Sequence, residues 1–145
     1  MHTTSPLHLL PLGFIAGFAA TLIFHQGAWF LLNQASVIPA DRPAWPLDAI
    51  PPFGLPSVIS KALWGGLWGA VLALVLARLD GTTYWIGWTV VGALALTLVA
   101  FFVVPLIKAQ PIPALWPRFG IGCLVNGAWG VGTALFLRLM GVGGQ

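Results

Sequence analysis

The sequence predicts an all-α, polytopic membrane protein: four transmembrane helices with a proline-rich loop between helices 1 and 2. Three observations carry this. Hydrophobic residues make up 59% of the 145 residues and charged residues only 6%, with a mean hydropathy of +0.95. A soluble chain of this length has too small an interior to hide so much apolar surface, whereas lipid covers it. Four windows, residues 11–33, 57–79, 84–106 and 119–140, are long and apolar enough to cross about 30 Å of hydrocarbon, which takes about 20 helical residues. Finally, six prolines fall between residues 33 and 56, where no regular helix can run. Residues 1–145 form a single domain.

The first span follows "MHTTSPLHLLPLGF". This opening lacks the positive n-region of a signal peptide and carries no lipidation motif, so it is read as leading straight into the first span, with His2 and His8 on an exposed tail. The loop "NQASVIPADRPAWPLDAIPPFGLP" remains apolar through Trp45, Ile50, Phe53 and Leu55, so it is expected against the bundle or the lipid interface. The connection "RLDGTT" is short, which predicts that the second and third helices are antiparallel neighbours. The third connection, "KAQPIPALWPR", is again proline-rich. Trp85, Trp88 and Trp116 fall near predicted helix ends, where indole rings favour the interface. Trp64, Trp68 and Trp129 are expected as core fillers whose N–H groups need an acceptor.

Charge sets orientation. Arg42, Lys61, Lys108 and Arg118 lie on the side of loops one and three, and Arg78 and Arg138 on the other. The positive-inside rule then places loops one and three in the cytoplasm of a multi-pass inner-membrane protein. The net charge of +3 does not indicate nucleic acid, because so few charges cannot form a basic patch. The lone Cys123 excludes an internal disulfide and a thiolate metal cluster, and is expected as a small packing residue. Lys61, Arg78 and Arg138 are expected to reach the interface on their long stems.

Residues four apart share a helix face. One such row in the first span reads Gly13, Gly17, Thr21, His25, Trp29. The second span carries Lys61, Gly65, Gly69, Ala73 and the fourth Gly122, Asn126, Gly130, Ala134, Arg138. Small residues let helix backbones approach closely, as in GxxxG packing, so these rows are expected to face other helices. The third span is bulkier and is placed at the periphery. "GGLWGAVLAL" in the second span also aligns with "NGAWGVGTAL" in the fourth, the pattern of a repeated helical hairpin.

At 1.5 Å per residue, His25 and Gln26 lie about 10–12 Å inside the loop-one end of the first span. Asn126 lies at about the same depth and Lys61 at about 6 Å. These four are expected to form one inward-facing polar layer. Unpaired amides and imidazoles in hydrocarbon cost several kcal/mol, so they must bond one another, the backbone, water or a ligand. They serve either as interhelical glue or as a polar pathway. His25 is the one intramembrane histidine, so a two-histidine haem or metal site would need a second subunit; no cofactor and no metal site is expected.

Asp41, Asp48 and Asp80 are the only acids, and all lie outside the spans. The chain therefore lacks the embedded carboxylate on which four-helix multidrug transporters depend. It shares only the isolated "VNGAWG" with four-helix fluoride channels. "PPFGLP…ALWGGLWG" followed by "LVNGAWGVGTALFLRL" resembles small four-helix inner-membrane proteins of bacteria with no assigned activity. That resemblance implies an integral membrane protein and carries over no site residues. The expectation is a non-enzymatic protein whose partners are the bilayer and either copies of itself or other membrane proteins. The alternative is an oligomeric channel or facilitator for a small neutral or anionic solute.

Overall fold

A computed structural model of the protein describes residues 5–112 and 116–142. It is mostly helical. The four helices α1 (Leu7–Gln34), α2 (Ser57–Leu76), α3 (Gly81–Ile107) and α4 (Arg118–Leu139) are each long and apolar enough to cross a membrane. A two-residue hairpin interrupts loop one: β1 (Ala49–Ile50) pairs antiparallel with β2 (Leu55–Pro56). His2 and part of the third connection lie outside the described residues, and His8 is exposed within the first helix.

Proline and glycine set the helix limits. Pro56 and Pro117 cap the starts of α2 and α4, where a missing N–H removes no intrahelical bond. At the end of α4, Gly141 takes φ +76. Its N–H bonds the Arg138 carbonyl and the Val142 N–H bonds the Leu137 carbonyl, a Schellman turn. This turn returns Val142 to the core at 3% exposure.

The helices are apolar nearly all round, so small residues rather than an amphipathic stripe choose the packed faces. α2 packs on α1, α1 on α4, and α4 on α3. α3 takes an outer position. α2 and α3 touch little despite the short turn between them, which corrects the expectation that they pack as neighbours. The reason is that the small faces are already engaged: Gly65 and Gly69 meet α1, and Gly92 meets α4. The shared core gathers at the end where α2 turns into α3, around Leu9, Ala73, Leu76, Tyr84, Trp88, Trp129 and Leu137.

Trp88 belongs to that core with 0% exposure, not to the interface, while Trp64 is 63% exposed and not a core filler. Both differences arise from rotation about the helix axis, which depth along a span does not specify. Among the described residues, three π-helical segments widen the helices, at Thr21–His25 in α1 and at Gly92–Leu96 and Val99–Val103 in α3. The last precedes Pro105, which has no N–H for the Phe101 carbonyl and crowds it; the widened turn accommodates both effects.

Candidate functional site: the polar end of helix 1

Gly17 lies where α1 crosses α2. Its carbonyl accepts from the Thr21 hydroxyl and from the Trp129 indole N–H, each at 2.9 Å. One turn on, the π-helical segment redirects the backbone. The Gln26 N–H bonds the carbonyls of Thr21 and Ile23 and bypasses that of Leu22. The Trp45 indole N–H, arriving from loop one, donates to the Leu22 carbonyl at 2.7 Å. Loop one is tied down twice more on the same helix. Trp29 Nε1 donates to the Arg42 carbonyl at 2.8 Å, and Asn33 Nδ2 lies within 3.1–3.2 Å of the Ile38, Pro39 and Arg42 carbonyls. A groove of about 360 Å³ remains between Phe30 and Asn33 of α1 and Pro43 and Trp45 of the loop.

His25 and Gln26 sit at the centre of this arrangement. Gln26 is 1% exposed and His25 half-buried. His25 Nδ1 and Gln26 Nε2 are both buried and have no hydrogen-bond partner among the described residues. Lys61 is exposed on α2, with Nζ 5.8 Å from the centre of the Trp29 ring. The site thus offers an amide and an imidazole, each able to donate or accept, and an ammonium that donates, a set suited to water, a carbonyl or a small anion.

The structure does not bring Asn126 to this group. Its Nδ2 donates to Thr97 Oγ1 at 2.9 Å, across the contact between α4 and α3. The polar residues therefore fall into two sets, His25, Gln26 and Lys61 on one side and Asn126 on the other. The glycines divide in the same way. Gly13 and Gly17 lie against Gly65, Gly69 and Ala73 between α1 and α2. Gly122 lies against Thr97 and Phe101, and Gly130 against the Trp88 carbonyl, between α4 and α3.

Several participants carried no sequence signal. Nothing in the proline-rich loop marked Trp45 as the donor to a carbonyl on α1. Arg138, expected to reach the interface, lies 4.9 Å from the centre of the Tyr84 ring and 5.5 Å from that of Trp85. Tyr84 itself donates to the Ala134 carbonyl at 2.8 Å. Cys123 is half-buried. Among the described residues no cluster of three or more His, Cys, Asp or Glu side chains is placed to hold a metal ion.

Four helices apolar enough to cross a membrane define the class, a small multi-pass helical protein. Compared with known proteins, the chain matches no family model, no curated protein and no solved structure.

Proposed function

We propose that this protein is a non-enzymatic, multi-pass protein of the inner membrane, with loops one and three in the cytoplasm, that works by association. It binds copies of itself or joins a larger membrane complex as an accessory subunit. The observation that carries this reading is the open seam between α2 and α3. The glycines are engaged inside the chain, yet Trp64, Leu67, Val71, Leu94 and Leu98 stay 45–63% exposed on these two helices. Trp64 lies about 10 Å from the start of its helix, where its indole N–H lacks the water it would meet at the interface. Native mass spectrometry of the protein released gently from its own membrane tests the reading. A homo-oligomer or a stoichiometric complex is expected; a monomer with no partner overturns it.

A second reading rests on the unpartnered His25 Nδ1 and Gln26 Nε2. In an oligomeric channel these polar groups would line a path for a small neutral or anionic solute, with Lys61 at its mouth. His25→Leu and Gln26→Leu should then abolish flux in liposomes while leaving the helices folded. Unchanged flux removes this reading.

A further inference from the structure

The chain is built from two copies of one hairpin, and the contact between them has an unfilled counterpart. A Cβ on Gly17 would meet the Gly65 carbonyl and lie 3.0 Å from the Gly69 Cα. A Cβ on Gly92 would lie 2.9 Å from the Asn126 carbonyl oxygen and 3.1 Å from the Gly130 Cα. In the sequence alignment of α2 with α4, Gly65 pairs with Asn126 and Gly69 with Gly130. Reversing the view gives the same result. A Cβ on Gly69 would meet the Gly13 carbonyl, and one on Gly130 the Trp88 carbonyl; Gly13 precedes Gly17 by four residues, as Trp88 precedes Gly92. Thr21 lies against Gly65, and Thr97 accepts from Asn126. The one-residue difference in their spacing is absorbed by the π-helical segment Gly92–Leu96. Thus α1 corresponds to α3 and α2 to α4.

The hairpins meet through α1 and α4. There Trp129 donates to the Gly17 carbonyl, and Gly132 lies against Phe24. Repeat correspondence defines the matching contact between α3 and α2. Trp68 replaces Trp129, Gly92 replaces Gly17, Val71 replaces Gly132 and Ala100 replaces Phe24. Bulk is exchanged across the second pair, glycine with phenylalanine on one side and valine with alanine on the other. Within one chain this contact is barely formed, and Val71 and Ala100 are exposed.

We propose that a second copy of the chain completes it. α2 of each copy packs against α3 of the other about a two-fold axis along the membrane normal, with Trp68 brought to the Gly92 carbonyl. The interface is isologous and closed, so association stops at the dimer. The proposal rests on the self-association reading above and names its surface.

Cysteine cross-linking of the full chain in native membranes tests it, in a Cys123→Ser background. Val71→Cys in one tagged copy and Ala100→Cys in another, differently tagged, should join as a cross-linked heterodimer, whereas Ile15→Cys on the outer face of α1 should join neither. Trp68→Phe keeps a ring against the chain's own core but removes the indole N–H from both symmetry-related contacts, and should raise the dimer dissociation constant about tenfold, with helicity unchanged. A dimer by mass without the Val71–Ala100 cross-link overturns this surface and leaves self-association standing. A cross-link within one chain, read from a copy that carries both Val71→Cys and Ala100→Cys, also overturns it, because the seam then closes on its own helices. A monomer covered by lipid overturns both readings.

Discussion

Adding one methyl group at Gly17 should force α1 and α2 apart. The new Cβ would meet the Gly65 carbonyl oxygen and lie 3.0 Å from both the Gly65 carbonyl carbon and the Gly69 Cα. Carbon atoms pack at about 3.5–4.0 Å, so the helices must separate by about 0.5–1 Å there, a gap that forfeits a quarter to a half of each contact it stretches. Overpacking of this kind costs about 1–3 kcal/mol. Alanine returns about 1 kcal/mol of helix propensity, so the net loss for Gly17→Ala is about 1 kcal/mol. Gly27→Ala is the control, because a Cβ there meets nothing within 4 Å and only the propensity gain remains. The difference between the two variants, about 1–3 kcal/mol, is then the steric cost alone. Reversible unfolding in mixed micelles with increasing dodecyl sulfate, followed by the fluorescence of the eight tryptophans, measures it. If Gly17→Ala is as stable as Gly27→Ala, backbone contact is not what joins α1 to α2.

Asn126→Leu should cost about 0.6–2 kcal/mol, and combining it with Thr97→Val in a double-mutant cycle should show positive coupling; independent, additive losses would mean the 2.9 Å bond does not hold α4 to α3. Trp45→Phe keeps an aromatic ring beside Phe30 but removes the donor to Leu22. Loss of one hydrogen bond of about 1 kcal/mol should raise amide exchange through the loop about fivefold, and unaltered exchange would show that the loop is held elsewhere. Tyr84→Phe, which deletes the bond to the Ala134 carbonyl, should lower stability by about 0.5–1.5 kcal/mol in the same micelle assay, without changing cross-linking at the α2–α3 seam.

The four spans were legible because apolar runs of membrane length are separated by proline, glycine and charge. The glycine rows were legible too, as faces that must meet something close. Which neighbour each face meets was not. Asn126 and His25 lie at similar depths, but α4 turns Asn126 toward Thr97 while His25 belongs to the loop-one side of α1. With both faces of a helix apolar, the sequence carries little information about rotation, and the same ambiguity exchanged the expected places of Trp64 and Trp88. The π-helical segments have no residue signature in α1. Thr21–His25 contains no proline or glycine, and its altered bonding depends on Trp45, a donor about twenty residues away. The repeat was visible in α2 and α4 through Trp68 and Trp129. It was obscured in α1 and α3, where Gly17 and Thr21 match Gly92 and Thr97 but at a spacing one residue apart, and Gly13 and Phe24 correspond to Trp88 and Ala100.

The bond from Trp129 to the Gly17 carbonyl joins groups 112 residues apart, and this bears on how the chain is made. Synthesis delivers the N-terminal hairpin first, at about 5–20 residues per second. α1 and α2 can therefore close on their glycines while α3 and α4 are still to be completed. For that interval the Gly17 carbonyl has only the Thr21 hydroxyl as an added donor. A chain halted after α2 is thus a hairpin whose Gly17 carbonyl still lacks the Trp129 indole as its second donor. The last helix to be made is the one that completes the first.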